Sequence, residues 1–481
     1  MKTYGLFIDG AERDAQAGAT FAVLNPDNAT TIAHAARAQA ADVDAAVRSA
    51  ARAFPAWANL APTERERVLL RAAYLIEAQR ERFLELLIDE SGSTITKAGY
   101  EINFAPQMLR AAAGEARRLY GETMPHDRAT RLSFVIREPV GVVAALVPFN
   151  APLILLIKMT AFPLAAGNTL VVKPSEETPL CAIEFAQLLI EAGLPAGAFN
   201  VVTGYGDECG APLAEHPLLN GIALTGSTAT GKRVGAIGMQ RMLAMQLELG
   251  GKNPLIVLGD VDPTAAARAV CEGAFTHAGQ ICMSSSRVYV ERSIADEFKA
   301  ALIQQAEALH LGELRDARTA YGPVINERAL QKVQTHVADA IAHGATLLTG
   351  GAIVRGLVYQ PTVLLEPPDD CALSCEETFG PVVSVHIVND LDEAIARANA
   401  SDYGLSGAIL THNIQKGFRA ARQLRCGSVH VGMHSFQSNA LAPIGGYGLS
   451  GIGRSGGKYS VEAFTELKWI SVEVGTLPIA D

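Results

Sequence analysis

VGVVAALVPFN, residues 140–150, is the stretch that decides the fold, because a run of small and β-branched apolar residues ends there in Pro-Phe-Asn. Runs of the same kind follow at NTLVVKPSE (168–176), FNVVTG (199–204) and GIALTG (221–226). Helical patterns lie between them, such as residues 179–193, after which Leu-Pro stops the helix. Short apolar strands that alternate with helices are typical of a doubly wound parallel sheet. The predicted fold class is therefore α/β.

The alternation of strands and helices restarts after Gly250. PLIVLG (254–259) and RVYVER (287–292) predict strands, and helices are expected to begin at Asp262 and at Ile294. The pattern therefore predicts a second α/β domain. The region before residue 140 is expected to begin with helices, one over 42–60 and a longer one that Thr63 and Glu66 open as a capping box.

Two stretches belong to neither α/β unit. TRLSFVI (130–136) and FTELKWISVEV (464–474) have the pattern of strands at an exposed sheet edge. Unpaired strands with apolar side chains promote uncontrolled aggregation. We therefore expect the two stretches to pair with each other and with another subunit.

The composition excludes several classes of protein. Of the 481 residues 49% are hydrophobic and 19% are charged, which is typical of a compact globular chain of two or three domains. The net charge of −10 argues against a nucleic-acid partner. The N-terminus lacks the apolar run of a secretory signal, and the longest aliphatic run, Leu153 to Ile157, is too short to span a membrane. We expect a cytoplasmic enzyme without membrane contact.

Seven cysteines are scattered through the chain, which favours reduced thiols over a disulfide framework. Cys371 and Cys375 have no second pair at zinc-site spacing, and the eleven histidines form no HExxH motif. No metal site is predicted.

Cys282, in FTHAGQICMSSSR (275–287), follows Gly279, which lets the backbone turn and expose the thiol. Taken alone, this cysteine is either a buried small apolar side chain or a nucleophile.

Glu248 lies in MQLELGGKNP (245–254), on a short apolar strand just before two glycines. A carboxylate there needs a partner or has a raised pKa, so it is either a general base or the ion-pair partner of Lys252.

In ALTGSTATGKR (223–233), Ser227 is placed to cap a helix whose N-terminus suits phosphate. Arg233 stands where a nucleotide-hydrolysing loop needs Ser or Thr. TGYGDECG (203–210) also departs from the Rossmann glycine spacing, so a dinucleotide would bind in a variant way.

The motifs together resemble the aldehyde dehydrogenase superfamily over almost the whole chain. They occur in the family's order: PFN (148–150), KPSE (173–176), GSTATG (226–231), ELGGK (248–252), GQICMSSSR (279–287) and EETFGP (376–381). The resemblance implies a Rossmann-like NAD(P)-binding domain over 1–118 and 140–250 and an α/β catalytic domain over 251–448. It also implies a small β oligomerisation arm over 119–139 and 449–481, which makes the protein a dimer or tetramer.

The resemblance implies oxidation of an aldehyde to a carboxylic acid through a thiohemiacetal and a thioester on Cys282. The side-chain amide of Asn150 and the backbone N–H of Cys282 would hold the oxyanion. Glu248 would activate the water that hydrolyses the thioester, and its presence argues against transfer to coenzyme A. From the sequence alone, Asn150 could also be a turn residue ahead of Pro152.

The implied cofactor is NAD, with NADP possible. Glu176 is expected to accept a hydrogen bond from the free 2′-hydroxyl of NAD and to repel the extra phosphate of NADP, which Lys173 and Ser175 could still tolerate. The expected cofactor-binding residues are Pro148, Phe149, Lys173, Ser175, Glu176, Gly206, Gly226, Ser227, Gly231, Leu249, Glu377 and Phe379.

The substrate prediction depends on the helix NAPLILLIKM (150–159), the ICMS motif and the loop HSFQSNALAP (434–443), which most resemble the vanillin and salicylaldehyde dehydrogenase branch. Lys158 is expected at the funnel mouth, where a cation suits an anionic or phenolic substrate. This predicts an aromatic aldehyde. The alternatives are a semialdehyde or a medium-chain aliphatic aldehyde, with Lys158 facing solvent in the aliphatic case. The candidate substrate residues are Leu153, Leu156, Lys158, Met283, His434 and Phe436.

Overall fold

The computed structural model describes residues 1–474, and its elements up to residue 250 are a group of short N-terminal strands, four successive helices, and then, from residue 142, strands that alternate with helices. In chain order they are β1 Thr3–Tyr4, β2 Leu6–Ile8, β3 Ala11–Arg13, β4 Thr20–Leu24, β5 Thr31–Ala36, α1 Ala40–Ala58, α2 Pro62–Ala78, α3 Arg80–Ser91, α4 Ile95–Ala116, β6 Glu122–Met124, β7 Arg131–Pro139, β8 Val142–Val147, α5 Pro152–Ala166, β9 Thr169–Pro174, α6 Leu180–Glu191, β10 Phe199–Val201, α7 Ala211–Glu215, β11 Gly221–Thr225, α8 Thr228–Gln240 and β12 Ala244–Glu248.

The elements after residue 250 repeat the alternation and end in a long strand. They are β13 Asn253–Val257, α9 Pro263–Phe275, β14 Ser285–Glu291, α10 Ala295–Glu307, α11 Glu327–Ala342, β15 Thr346–Thr349, β16 Ile353–Arg355, β17 Val358–Tyr359, β18 Thr362–Leu365, α12 Ala372–Cys375, β19 Val382–Val388, α13 Leu391–Asn399, β20 Tyr403–Gly404, β21 Ser406–Leu410, α14 Ile414–Gln423, β22 Ser428–Val431, β23 Tyr447–Gly448, β24 Gly451–Ile452, α15 Gly457–Ala463 and β25 Thr465–Glu473.

The first large sheet is eight-stranded, in the order β24-β12-β11-β8-β9-β10-β2-β3. The strands from β12 to β10 pair in parallel, as the apolar runs predict, while β24 and β2 join at the two sides in antiparallel fashion. β24 lies in the segment 449–481 that the sequence analysis gives to the arm, although it pairs with β12 of this sheet. Apart from that strand, the predicted domain boundaries stay predictions.

The second large sheet is seven-stranded, in the order β15-β18-β19-β14-β13-β21-β22, and only β15 at one edge is antiparallel. The chain passes from β12 of the first sheet to β13 of the second through Leu249 to Lys252. The carboxyl ends of parallel strands are where α/β sheets place their ligands, and this short crossing brings that edge of the first sheet next to the amino ends of the strands of the second.

The arm consists of β25, β7 and β6 in a three-stranded antiparallel sheet. Thr465 pairs with Pro139 and Glu473 with Arg131, so the pairing expected between the two alternating stretches is confirmed. Residues 475–481 of the predicted arm lie outside the described residues.

Two buried glutamates accept hydrogen bonds from the first N–H groups of helices elsewhere in the chain. Pro152 opens α5 after Ala151, whose side chain makes no cap, and Glu101 of α4 accepts the backbone N–H groups of Leu153 and Ile154 at 3.2 Å each. Glu90 of α3 does the same for α6, whose first N–H groups it accepts at 2.9 and 3.0 Å. These two carboxyl groups accept hydrogen bonds from N–H groups that the start of a helix leaves without partners.

Residues 3–36 form strands that the sequence analysis did not identify, and α2 begins differently from the prediction. Ala61 precedes α2 with Pro62 at its first turn, and no side-chain cap is made, so the capping box expected at Thr63 is wrong. Proline suits a first turn because it has no N–H to leave unpaired.

No helix within residues 1–474 is both long and apolar enough to cross a membrane. The same residues contain no group of three or more potential metal ligands.

Candidate active site

Cys282 follows a sharp turn after α9. Residues 276–279 form a short 3-10 turn in which His277, Ala278 and Gly279 have φ values of 53°, 55° and 69°. These left-handed conformations are costly for residues with a side chain, and at Gly279 a Cβ would lie 2.1 Å from the carbonyl oxygen of Gly380. The turn expected at Gly279 is therefore present, and only glycine fits there.

The chain crossing between the two sheets supports this turn. Added Cβ atoms at Gly250 and Gly251 would lie 2.5 Å from Glu377 Oε2 and 2.5 Å from the Cys282 carbonyl oxygen, respectively. Asn253 donates from Nδ2 to the carbonyl oxygens of Cys282 and Ser284, both at 2.8 Å. The glycines of ELGGK thus allow the backbone around the thiol to approach the crossing.

Glu248 is the last residue of β12 and is buried beside Lys158 rather than Lys252. Its Oε2 lies 3.9 Å from Lys158 Nζ, while its Oε1 has no hydrogen-bond partner among residues 1–474. Burial raises the pKa of Glu248 to about 7, against the opposing charges of Lys158 and Arg454. The proposed pair with Lys252 is wrong, because Lys252 is buried near Arg287 and Glu377.

The Cys282 thiol experiences the same low-polarity environment. Burial raises the pKa of Cys282 to about 12, the Lys158 charge lowers it, and the carboxylates of Glu248 and Glu377 raise it further. Lys158 is therefore the cation that faces both the thiol and the carboxylate. The expectations that it lies at a funnel mouth or faces solvent are wrong, since its side chain is 9% exposed.

Asn150 ends the loop between β8 and α5 and is buried. Its Nδ2 donates one hydrogen bond to the Gln280 carbonyl oxygen at 2.9 Å. Because a side-chain amide has two N–H donors, the second remains for another acceptor. Asn150 and Cys282 line the same cavity together with Lys158, and Glu248 lies just behind it, 3.9 Å from the Lys158 ammonium.

A cavity of about 450 Å³ lies beside the thiol, between α4, α5 and residues 436–444. It combines an apolar and aromatic wall with a few polar groups, which is typical of a small-molecule site. Its lining includes Thr94, Lys97, Tyr100, Glu101, Phe104, Asn150, Ile154, Leu155, Lys158, Cys282, Met283, Arg318 and Phe436.

Only some of the predicted substrate residues line this cavity. Lys158, Met283 and Phe436 do, whereas Leu153 and Leu156 are fully buried in the core around α5. α5 is apolar on every side, so its sequence pattern cannot indicate which face meets the cavity. His434 stacks on Phe436 with ring centroids 6.3 Å apart and lies behind it.

The residues expected at the adenosine end of the cofactor lie around the ends of β9 and β11. Lys173 is buried, donates to the Pro174 carbonyl oxygen at 2.7 Å and pairs with Glu176 at 3.5 Å. Ser175 accepts from the Glu177 N–H at 3.2 Å. Ser227 caps α8 by accepting from the Thr230 N–H at 3.2 Å, which confirms the predicted cap.

Three of the glycines expected to bind the cofactor lie in the same region. Gly226 directly follows β11, and Gly206 begins a short π-helical turn over residues 206–210. At Gly231 a Cβ would lie 2.3 Å from Leu249 Cδ2, so α8 packs directly on the crossing after β12.

The residues expected at the nicotinamide end join the two sheets. Glu377 is half-buried and accepts from the Gly251 N–H at 3.1 Å. Phe379 packs edge-to-face on Phe149, with centroids 5.9 Å apart, just after Pro148 at the end of β8. A half-buried carboxylate bonded to a glycine N–H provides the ribose acceptor, and the Phe149–Phe379 ring pair provides the apolar wall, that a dinucleotide needs. The residues present therefore fit NAD(P).

Several site residues were missed by the sequence analysis. Tyr100 and Phe104 wall the cavity from α4, and Arg454 is the second cation near Glu248. Lys97 and Glu101 form a Lys-x-x-x-Glu pair, whose helical spacing predicts an ion pair but equally suits a solvent-exposed one. Their burial is visible only in the structure.

The comparisons with known proteins agree over nearly the whole chain. The profile described as "Aldehyde dehydrogenase family" matches residues 13–470. The chain is 35% identical over 467 residues to the succinate-semialdehyde dehydrogenase (NADP(+)) of Escherichia coli, covering 97% of each protein. It is 35% identical over 466 residues to the glutarate-semialdehyde dehydrogenase of Pseudomonas aeruginosa, covering 96% of each.

A solved structure agrees as well. The crystal structure of an NAD-dependent aldehyde dehydrogenase from Sinorhizobium meliloti matches with a TM-score of 0.96 and 37% identity, over 100% of this chain and 96% of that one. The chain belongs to the aldehyde dehydrogenase family and is an oxidoreductase. The family resemblance and the predicted fold are confirmed.

Burial of Cys282 predicts how its alkylation depends on pH. With a pKa of about 12, the thiolate is a small fraction at neutral pH and increases about tenfold for each pH unit. We expect the rate of iodoacetamide labelling of the cofactor-free protein to be still rising at about pH 9. Peptide mass spectrometry separates Cys282 from the exposed Cys375. A rate that levels off near neutral pH would contradict the dominance of burial.

Proposed function

We propose that the enzyme oxidises an aldehyde to the carboxylic acid with Cys282 as nucleophile. The observation that carries this proposal is that the Cys282 thiol, the Asn150 amide and Lys158 line one cavity, with the buried Glu248 carboxylate 3.9 Å behind Lys158 and its Oε1 without a hydrogen-bond partner among residues 1–474. Attack of the thiolate on the aldehyde carbon gives a tetrahedral adduct. The second N–H of the Asn150 amide and the Cys282 backbone N–H stabilise its oxyanion, at roughly 3 kcal/mol for one such donor.

The resulting thioester on Cys282 is hydrolysed by water that Glu248 activates. A base must be deprotonated to accept a proton, and a pKa of about 7 makes the Glu248 carboxyl a base at neutral pH and above. Its Oε1, which has no hydrogen-bond partner among the described residues, is the atom that takes the proton.

NAD is the proposed cofactor, and when bound NAD(P) supplies the acceptor for the hydride of the tetrahedral adduct. Lys173 and Glu176 would hold the adenosine ribose, Ser227 the pyrophosphate, and Glu377 with Phe379 the nicotinamide ribose. The Glu176 carboxylate is 40% exposed and is balanced by Lys173, so it offers an acceptor for a ribose hydroxyl and repels a 2′-phosphate. This favours NAD over NADP.

For the substrate we propose an aldehyde that carries an anionic group, as semialdehydes do. The names of the two curated relatives denote such substrates. Lys158 lines the cavity, and no hydrogen-bond partner is found for its ammonium among residues 1–474 apart from the ion pair with Glu248 at 3.9 Å. A buried cation with one distant counter-ion favours an anionic ligand.

An aromatic aldehyde is the second candidate, because rings wall the cavity. Tyr100 stacks on Phe104 with centroids 5.9 Å apart and meets Phe436 edge-to-face at 6.2 Å. Such a wall suits a benzaldehyde-type ring by apolar contact. It serves the carbon chain of a semialdehyde as well, so the rings distinguish the two candidates less than Lys158 does.

The Glu248→Gln variant tests the proposed base. We expect a burst of about one NADH per active site followed by turnover that is at least about a hundredfold slower, because acylation continues while the thioester persists. In the native enzyme, kcat should rise with pH through about 7, as the Glu248 carboxyl loses its proton. Stopped-flow absorbance and a pH series measure both effects. Steady turnover by Glu248→Gln at the native rate would exclude Glu248 as the base.

The Lys158→Met variant tests the substrate class. We expect kcat/KM for succinic semialdehyde, relative to uncharged butyraldehyde, to fall about 10- to 100-fold, since a charged hydrogen bond contributes about 1.5 to 3 kcal/mol. Because Lys158 also faces Glu248 and Cys282, the ratio of the two substrates isolates recognition from catalysis. Lys158→Arg is the matched control and should keep the preference. Equal losses for both aldehydes, or native preference for benzaldehyde, would contradict the semialdehyde assignment.

The arm is proposed to mediate self-association into a dimer or tetramer. β25 is the edge strand of its three-stranded sheet, and among residues 1–474 its outer edge has no neighbouring strand. Leu467 and Trp469 on this strand are 61% and 63% exposed. An exposed apolar edge strand is a template for pairing, so a second copy of the chain is its proposed occupant.

The double variant Leu467→Glu with Trp469→Glu should shift the enzyme towards the single-chain mass in light scattering after size-exclusion chromatography. Charges at an edge strand oppose pairing between copies. Tyr74→Glu is the matched control, since Tyr74 is 65% exposed on α2, away from the arm. A native enzyme that is already monomeric would refute self-association, and an unchanged assembly in the double variant would place the contact elsewhere.

A further inference from the structure

α4 carries a lysine and a glutamate one turn apart whose side chains are both buried. The Lys97 side chain is 11% exposed and the Glu101 side chain 1%, and the two form an ion pair. Both residues line the cavity beside Cys282. A buried ion pair costs desolvation free energy unless further hydrogen bonds satisfy its atoms, so the other partners of the pair indicate its purpose.

Glu101 holds the start of α5. Its Oε2 accepts the N–H groups of Leu153 and Ile154 at 3.2 Å each. The helix begins at Pro152, which has no N–H, and no side chain of its own segment caps it. The carboxylate thus fixes the helix end that immediately follows the Asn150 loop.

Lys97 holds Asn150 itself. Its Nζ donates to the Asn150 carbonyl oxygen at 2.7 Å, while the Asn150 side chain donates to the Gln280 carbonyl oxygen at 2.9 Å. Asn150 is therefore fixed through its backbone by α4 and through its amide by the loop that carries Cys282. Together these contacts determine where the second amide N–H points.

We propose that Lys97 and Glu101 are positioning residues that keep the Asn150 amide aimed at the oxyanion of the tetrahedral adduct. The inference rests on the proposed role of Asn150. Displacing a donor by a fraction of an ångström weakens it in the transition state, where most of its effect on the rate arises. Lys97 is not a second anchor for an anionic substrate, because Glu101 already neutralises its charge.

The test compares Lys97→Met in the native and in the Asn150→Ala background. In the native background we expect the single-turnover rate of NADH formation to fall about 10- to 100-fold, with KM changed less than about threefold. In the Asn150→Ala background Lys97→Met should change the rate less than about twofold, because residues that act as a unit are not additive. Cofactor-free hydrolysis of p-nitrophenyl acetate should show the same pattern, since it needs the thiol and the oxyanion donors.

The controls separate positioning from folding. Lys97→Arg, which keeps the charge and the donor, should restore most of the lost rate. Glu90→Gln replaces one acceptor oxygen of the equivalent cap on α6 by an NH2 group and should lower the melting temperature without lowering kcat, whereas Glu101→Gln should lower both. If Asn150→Ala is slow but Lys97→Met is not, the positioning role alone is refuted. Equal losses in both backgrounds refute it too, and a fully active Asn150→Ala overturns the role of Asn150 as well.

Discussion

The crossing from β12 to β13 is the constraint on which the site depends. A Cβ at Gly251 would clash with the Cys282 carbonyl, and one at Gly250 would displace the Glu377 carboxylate. Because the crossing has no side chains there, a carboxylate at the nicotinamide end and the backbone of the thiol loop both reach it. Asn253 then fixes the thiol loop with two hydrogen bonds. The same few residues thereby join the two sheets and set the distance between nucleophile and cofactor cleft.

Burial gives this site its chemistry. The low polarity around Glu248 and Cys282 raises the pKa of the carboxyl to about 7 and that of the thiol to about 12. A carboxyl in that range exchanges protons at neutral pH, which suits a base, while the thiol needs help to ionise. Lys158 supplies opposite charge to both groups. One cation therefore serves two ionisable groups, and a third anion in the cavity would compete for it.

Those parts of the fold and the site that depend on short local patterns could be predicted from the sequence. The apolar strand runs, the turn at Gly279 and the helix cap at Ser227 follow from short stretches, and the structure agrees with them. The directions of the side chains on α5 could not be predicted from the sequence. The helix is apolar on all sides, so its pattern does not indicate that Ile154 faces the cavity while Leu153 faces the core. The predicted position of Lys158 was wrong for the same reason. Contacts between segments distant in the sequence, such as Lys97 with Asn150, leave no local pattern at all.

α5 links substrate recognition to catalysis. Asn150 stands just before its first turn and Lys158 near its middle, so the helix fixes how far the oxyanion donor lies from the proposed counter-ion. From Pro152 to Lys158 the helix rises about 9 Å, and helical side chains lean back towards the N-terminus, which shortens that span. An aldehyde with its carbonyl at Asn150 and its anion at Lys158 must therefore be short. Since Glu101 and Lys97 hold the first turn of this helix, any movement there would alter the spacing for substrate and transition state together.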